Sequence, residues 1–112
     1  MAKVEIASSL ESEINKKFKD ESIKIFDFMY SLEDNPKKGK SLTHVGNIAI
    51  NELKYENYRF YFIADNYRIR FMEIDNLKNL LIKFVRMSDK KTQQKTIEEI
   101  KEVLRKFGGE GF

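Results

Sequence analysis

Cysteine and tryptophan are absent from the sequence, and histidine and proline occur once each. Without cysteine, neither a disulfide framework nor a thiolate metal site can form. The single histidine, His44, cannot hold zinc unless several carboxylates lie beside it. We therefore predict no metal ion, no small-molecule cofactor and a reducing compartment.

Long apolar segments are also missing. The N-terminal residues MAKVEIASSLESE alternate polar and apolar side chains, whereas a signal peptide needs an apolar run of roughly 7–15 residues. No stretch approaches the ~20 apolar residues that span a bilayer. We therefore expect a soluble, cytoplasmic protein with no membrane partner. With 41% hydrophobic residues, the 112-residue chain can fill one core, so we expect a single domain over residues 1–112.

The net charge of +3 is distributed unevenly along the chain. Residues 1–35 carry five lysines against eight acidic residues, whereas residues 36–112 carry sixteen Lys and Arg against ten acidic residues. A surface with positive potential attracts polyanions. The asymmetry therefore favours an anionic partner such as nucleic acid for the C-terminal two-thirds, with an ordinary solvated surface as the alternative.

Hydrophobic spacing predicts a strand and two helices in the first third of the chain. Residues 3–7 alternate as a short strand does. Ser8 and Glu11 have capping-box spacing and predict the start of a helix, and a second helical pattern begins near Asp20. The two helices would form an αα-hairpin that ends before Pro36. The following segment, residues 36–47, has the composition of a loop.

From residue 48 the pattern becomes that of strands. Four runs rich in aromatic and branched residues follow, and their separators are short and rich in Asn and Asp; the runs are residues 48–55, 58–64, 67–74 and 80–87. In the third run, Tyr67, Ile69 and Phe71 alternate with Arg68 and Arg70, which predicts a strand with one basic face. The sequence thus predicts an antiparallel meander.

The last segment predicts a C-terminal helix. Thr96 and Glu99 form a second capping box, and Gly108 can supply the left-handed residue that ends a helix. Residues 110–112 would be a frayed tail. The complete pattern is that of an α+β fold with an N-terminal strand, an αα-hairpin, a meander of about four strands and a C-terminal helix.

No familiar catalytic motif is present, but cations concentrate on the predicted sheet. The sequence has no Gly-rich phosphate loop and no cysteine nucleophile. Basic side chains on the predicted strands are interleaved with tyrosines; they are Lys54, Arg59, Arg68, Arg70, Lys83 and Arg86, with Tyr55, Tyr58, Tyr61 and Tyr67. Guanidinium groups pair with phosphates and rings stack on unpaired bases, so this composition suits RNA; a solvated sheet face is the alternative.

Two further groups of lysines are candidates for contacts with an anionic chain. Lys37, Lys38 and Lys40 form a basic loop that could clamp a phosphate backbone. Lys90 and Lys91 stand just before the last helix. A Lys-rich loop such as the first is more often simply solvated, and Lys90 and Lys91 could equally be solvated turn residues.

Four short motifs in order resemble the RelE/ParE toxin superfamily, and within it the phage-derived, HigB-like branch. The motifs are Glu52-Leu53-Lys54, Tyr58-Arg59 followed by aromatic residues, Phe84-Val85, and Lys90-Lys91-Thr92-Gln93 before a helix that Thr96 opens. Lys54 stands where that branch usually has Arg. Arg59 and Arg68 each follow a tyrosine, so both are candidates for the single arginine of the Tyr-Arg motif in that branch.

The resemblance implies a type II toxin that cleaves mRNA on the ribosome without a metal ion and is neutralised by a cognate antitoxin. Lys54, Arg59, Arg68 and Arg86 would orient and neutralise the phosphate. Lys83, Lys90 and Lys91 would follow the RNA backbone, and Tyr61 or Tyr67 would stack on a base. The sequence identifies no general base or acid.

Two other functions are compatible with the same resemblance. One is a ParE-like inhibitor that binds a protein target, which is DNA gyrase in that branch. The other is an inactive relative or a plain binding module, which the lack of an evident general base favours. A shared fold does not decide between these functions.

Overall fold

A computed structural model describes residues 1–112, which form a sheet of five strands with helices on both faces. The strands are β1 (Lys3–Ile6), β2 (Lys40–Val45), β3 (Ile48–Tyr55), β4 (Tyr58–Asp65) and β5 (Leu81–Asp89). The helices are α1 (Ser8–Phe18), α2 (Ser22–Tyr30), α3 (Asn66–Phe71) and α4 (Gln93–Phe107). The sheet order is β1-β5-β4-β3-β2. The predicted α+β class is confirmed.

Strands β2 to β5 form the antiparallel meander, and β1 pairs in parallel with β5 at one edge. Sequence spacing predicts β1 but not its partner. A parallel pairing needs a crossover connection. Here the connection contains α1, α2, three strands of the meander (β2 to β4) and a further helix, so the pairing joins segments that are distant in sequence.

The two N-terminal helices pack on one face of the sheet. Leu10 and Ile14 of α1 and Ile25 and Met29 of α2 recur at helical spacing, and all four are buried in the core. The Ser22 hydroxyl donates a hydrogen bond to the Ile14 carbonyl and ties α2 to α1. The predicted αα-hairpin is therefore present.

The predicted capping boxes at Ser8 and Thr96 are both wrong. Ser8 is the first residue of α1, and the capping residue Ala7 precedes it with no side-chain hydrogen bond. Thr96 lies buried inside α4, which begins three residues earlier at Gln93. In each case the motif lies within the first two turns of the helix, so it marks the region of the start and not the cap itself.

Each face of the sheet has its own hydrophobic core because β4 alternates between them. Phe60 and Phe62 face α1 and α2, whereas Tyr61 and Ile63 face α4. On the second face, Ile100 and Leu104 of α4 cover the apolar part of the sheet; the core there consists of Ile50, Tyr61, Ile63, Val85, Ile100 and Leu104. The side chains of β4 therefore belong to both layers.

Two predictions within the meander are wrong. Residues 40–45, predicted as part of a loop, form the edge strand β2. Residues 67–74, predicted as a strand, form helix α3 and a 3₁₀ turn at Ile74–Asn76. The side chain of Asp65 accepts a hydrogen bond from the Arg68 amide and thereby caps α3. Arg68 and Arg70 consequently lie on a helix and not on the sheet.

The C-terminal segment folds back onto the sheet. Helix α4 ends at Phe107, and Gly108 has the positive φ of 65° that its position predicts. Residues Gly108–Gly111 form a 3₁₀ turn, and Phe112 packs against the hydrophobic cores. The prediction of a frayed tail is therefore wrong. None of the helices is long and apolar enough to cross a membrane.

Candidate anion-binding site on the sheet

The β3–β4 hairpin places two cations directly opposite each other. Lys54 and Arg59 are cross-strand partners, and the turn at Glu56, which has a positive φ of 53°, joins their strands. Cβ atoms of such partners lie only ~4.5–5.5 Å apart, and like charges at this spacing repel. An anion between the two side chains would relieve that repulsion.

A buried carboxylate holds one of these cations. The Glu52 Oε1 atom lies 3.7 Å from Arg59 Nε, and the two residues are only 8% and 7% exposed. Arg59 Nη1 also donates a hydrogen bond of 3.2 Å to the Tyr58 carbonyl. A charge this deeply buried requires a partner. Glu52 therefore fixes the guanidinium of Arg59, whereas Lys54 beside it is exposed.

The same face contains a buried pair of hydroxyl groups. Tyr61 lies opposite Glu52 in the β3–β4 register, and its hydroxyl is 2.8 Å from the Ser88 hydroxyl. Burial raises the pKa of Tyr61, and the Glu52 charge acts in the same direction, against the hydrogen bond with Ser88 and the charge of Arg59. Tyr61 therefore stays protonated at neutral pH. Because it is fully buried, the predicted stacking of Tyr61 on a base is excluded.

Glu52, Lys54 and Arg59 border a pocket of about 360 Å³, which we call the Arg59 pocket. It is lined by Lys38, Lys40, Glu52, Leu53, Lys54 and Arg59. Strand β2 begins with Lys40 opposite Glu52, so β3 has no partner along this edge beyond that point. Four cations and one carboxylate line the pocket, an arrangement that suits the binding of a phosphate group.

Lys90 and Lys91 lie at the same end of the sheet. Their neighbour Asp89 pairs with Tyr58, and Ser88 pairs with Arg59. The Asp89 carboxylate accepts hydrogen bonds from the backbone amides of Lys91 and Thr92 and from the Thr92 hydroxyl. The hydrogen bonds from Thr92 lower the pKa of Asp89 most. The hydrogen bond from the Lys91 amide and the positive charge of Lys91 lower it further. This turn holds the two exposed lysines next to the Tyr58 end of β4.

Arg86 and Lys83 are engaged by the C-terminal residue. A bulge at Val85 places Arg86 opposite Tyr61, on the face that carries Arg59. The Arg86 guanidinium lies 4.9 Å from the centre of the Phe112 ring and donates to the Val85 carbonyl. Lys83 donates a 2.8 Å hydrogen bond to the Phe112 carbonyl. Neither residue lines the Arg59 pocket.

Tyr67, Arg68 and Arg70 lie on α3, and Lys37 lies in the turn before β2. None of these predicted residues lines the Arg59 pocket. Arg68 Nη2 donates to the carbonyls of Lys78 and Asn76, at 3.0 and 3.4 Å, and thereby fastens the loop after α3. Arg70 lies over the Phe71 ring, and Tyr67 packs against the same ring at a tilt of 46° with 5.5 Å between centroids. Of the two Tyr-Arg pairs, only the one containing Arg59 meets Lys54.

Sequence reasoning missed Glu52, Ser88 and Asn51. Glu52 belongs to the quoted Glu-Leu-Lys motif, and its separation of two residues from Lys54 places both on one face of a strand. That spacing is a signal that could have identified it. Ser88 meets Tyr61 only through the β4–β5 pairing. The chain has no cluster of three His, Asp or Glu residues that could hold a metal ion.

The fold also occurs in a solved complex of two proteins. The crystal structure of the archaeal RelE–RelB complex from Pyrococcus horikoshii OT3 matches with a TM-score of 0.57 and 15% sequence identity, over 79% of this chain and 93% of that chain. The chain has a RelE-like fold. At this identity the likeness establishes the fold alone, and the predicted HigB-like branch stays a prediction. No protein-family model and no curated protein sequence matches the chain.

Proposed function

We propose that this RelE-like protein is the toxin of a type II toxin–antitoxin pair and cleaves mRNA on the ribosome. The observation that carries the proposal is the cross-strand pair of Lys54 and Arg59 in a basic pocket. Preorganised cations of this kind stabilise the negative charge that develops during phosphoryl transfer. The RelE-like fold supports the same assignment.

The chemistry would be an attack by a ribose 2′-hydroxyl on the adjacent phosphorus. Lys54 and Arg59 offset the charge on the phosphate oxygens as the new O–P bond forms. Glu52, the only carboxylate lining the Arg59 pocket, accepts the proton of the 2′-hydroxyl. The 5′-oxygen leaves with the bonding electrons and takes a proton from water, which produces a cyclic phosphate and a free 5′-hydroxyl.

The ribosome would supply what this site lacks. The Arg59 pocket lies at a strand edge and offers cations but few groups that could orient the ribose. A reaction of this kind depends on holding the attacking oxygen in line with the leaving oxygen. We propose that the ribosome presents mRNA in that geometry, with Lys40, Lys90 and Lys91 following its backbone.

A cognate antitoxin would neutralise the toxin. The solved relative of similar fold is a RelE–RelB complex. Residues 36–112 of this chain have six more cations than anions, so an acidic segment would be attracted to the same surface as RNA. Occupation of the Arg59 pocket by such a segment would exclude the mRNA.

End-mapped cleavage of mRNA by the purified protein, with and without programmed ribosomes, tests the proposal. The decisive variant is Lys54→Ala, since Lys54 is exposed and its loss leaves the buried pair intact. We expect cuts only with ribosomes and a loss of about 100-fold in rate for the variant. Lys24→Ala, an exposed lysine on α2, is the matched control and should cleave at the rate of the unchanged protein.

Intact mRNA in every reaction would overturn the proposal. A supercoiling assay with DNA gyrase then becomes the next measurement. Inhibition of gyrase without RNA cleavage would favour a ParE-like inhibitor. Activity in neither assay would favour an inactive relative or a binding module.

A further inference from the structure

A second polar pocket lies on the opposite face of β3 from the Arg59 pocket. It has a volume of about 320 Å³, and we call it the Asn51 pocket. It is lined by Lys37, Gly39, Ser41, Asn51, Ile69 and Arg70. Asn51 precedes Glu52, so the two side chains point to opposite faces of the sheet. Helix α3 supplies Ile69 and Arg70, which close one side of this pocket.

Asn51 contributes an amide group that has no protein partner. The residue is 6% exposed, and its Oδ1 atom is buried without a hydrogen bond. A buried carbonyl oxygen left unpaired costs about 1–3 kcal/mol, and nearly all such groups in folded proteins are paired. A half-turn of the side-chain amide exchanges its carbonyl and NH₂ groups. Asn51 can thus offer an acceptor or a donor to a ligand in this pocket.

The charged groups around Asn51 are all positive. Lys37 and Arg70 line the Asn51 pocket, no carboxylate does, and neither cation forms a salt bridge. Ser41 adds a hydroxyl group. Two cations without counter-charges next to a neutral amide suit a ligand that combines an anionic group with a hydrogen-bonding edge. A nucleotide has this combination, and a cavity of this size matches one small ligand.

An aromatic surface adjoins the Asn51 pocket through Arg70. The Arg70 guanidinium lies 5.1 Å from the centre of the Phe71 ring. The rings of Tyr67 and Phe71 contact each other at a tilt of 46°, and each residue is 63% exposed. Exposed rings beside cations are typical of surfaces that bind single-stranded nucleic acid, because a base can stack on the ring.

One short segment of chain, residues 37–41, separates the two pockets. Lys37, Gly39 and Ser41 line the Asn51 pocket, whereas the intervening Lys38 and Lys40 line the Arg59 pocket. Gly39 lies against the sheet so closely that a Cβ atom there would meet the Phe62 ring at 2.6 Å. The segment is thus held at the edge of the sheet, and its lysines line both pockets. Lys38 Nζ also lies 4.5 Å from the centre of the Phe28 ring of α2 and 3.5 Å from the Ser31 hydroxyl.

We propose that the Asn51 pocket binds one nucleotide of the RNA chain whose phosphate lies in the Arg59 pocket. Lys37 and Arg70 bind its phosphate, and the Asn51 amide pairs with an edge of its base. The RNA passes around β2 between the two pockets. This inference rests on the proposed function for the identity of the ligand, but it concerns binding and not cleavage.

Binding of a fluorescein-labelled 2′-O-methyl RNA oligonucleotide, measured by anisotropy over a range of salt concentrations, tests the inference. This RNA lacks the attacking hydroxyl and is not cut, so binding is measured whether or not the protein is a nuclease. We expect Lys37→Ala with Arg70→Ala to weaken binding at least about tenfold and to reduce the slope of log K against log salt by about 1.4. The control variant, Lys24→Ala with Arg105→Ala, removes the same charge from exposed sites elsewhere. It should leave the RNA affinity and the salt slope nearly unchanged.

Asn51→Ala separates recognition from charge. We expect it to weaken RNA binding by about three- to tenfold with no change in salt slope, since it removes one hydrogen bond and no charge. Its midpoint of urea denaturation should not fall, because the Asn51 carbonyl has no protein partner to lose. A purely structural role for Asn51 would instead lower the midpoint and leave RNA affinity unchanged.

Equal affinity for RNA in the double variant and its matched control would overturn the inference. Poly-L-glutamate that competes as well as RNA, and loses affinity in the same variants, would also overturn it by assigning the Asn51 pocket to an acidic protein segment. Failure of mRNA cleavage on ribosomes, by contrast, would refute the proposed function while leaving this binding measurement to be judged on its own result.

Discussion

At the scale of single residues, the site depends on the burial of Arg59. A buried charge is stable only with a compensating partner, and Glu52 is the partner here, 3.7 Å away. Burial also restricts the motion of the guanidinium, because Glu52 on one side and the Tyr58 carbonyl on the other hold it. Lys54 is exposed. The pair therefore combines one buried cation with one exposed cation.

Glu52→Gln should lower the free energy of unfolding by about 1–3 kcal/mol, because Arg59 would remain buried without its counter-charge. Urea denaturation followed by circular dichroism measures the change. The matched control is Glu98→Gln on α4, whose salt bridge with Lys101 lies on the surface and should contribute less than about 1 kcal/mol. Equal losses in the two variants would mean that the Glu52–Arg59 pair adds nothing beyond a surface pair.

At the scale of secondary-structure elements, α3 shows how one pattern fits two structures. Tyr67, Ile69 and Phe71 alternate with two arginines, as in an exposed strand, yet only Ile69 of these three is buried. Six residues are too few for the period of a helix to separate clearly from the period of a strand. The capping bond from Asp65 and the contact of Ile69 with the core decide for the helix.

Asp65→Ala should destabilise α3, because the Arg68 amide would lose its acceptor at the start of the helix. We expect a loss of about 0.5–2 kcal/mol and faster hydrogen exchange at the Arg68 amide, measured by NMR. Asp75→Ala, in the exposed 3₁₀ turn that follows, removes a carboxylate without a hydrogen bond to the backbone and serves as the control. Unchanged exchange at Arg68 in the Asp65 variant would contradict the role of this cap.

At the scale of the whole molecule, one sheet joins two hydrophobic layers. Leu10 belongs to the core between the sheet and α1 and α2, and Leu104 belongs to the core between the sheet and α4. Strand β4 contributes side chains to both cores. Loss of either layer would expose one side of β4 to water, so neither layer is expected to unfold alone.

Leu10→Ala and Leu104→Ala should each lower the free energy of unfolding by about 2–5 kcal/mol, because each leaves a cavity in a buried core. Both variants should still unfold in a single transition. Urea denaturation followed by far-UV circular dichroism and by tyrosine fluorescence checks this, and the two signals should coincide. Ile23→Ala, at an exposed position on α2, should change stability by less than about 0.5 kcal/mol. Separate transitions would show that the layers are independent.

The local spacing of apolar residues predicts much of the architecture. The bounds of β3 match the predicted run of residues 48–55, and β4 extends the next run by one residue. The two N-terminal helices and the C-terminal helix also follow from apolar residues at helical spacing. Such patterns predict correctly because each reflects how one segment buries one face, whatever the rest of the chain does.

Apart from the Lys54–Arg59 pair, only the tertiary structure decided which side chains of the site meet. Lys54 and Arg59 are brought together by a hairpin that the sequence predicts, but Ser88 reaches Tyr61 and Lys40 reaches Glu52 through strand pairings between separate segments. The parallel pairing of β1 with β5 and the placement of Arg68 on a helix depend likewise on contacts between distant residues. Composition thus determines that the chain is rich in cations, hydrophobic spacing determines the α+β elements, and the register of the sheet determines which cations share a pocket. The physical reason is that hydrophobic period is a property of one segment, while strand register is fixed by the packing of several segments at once.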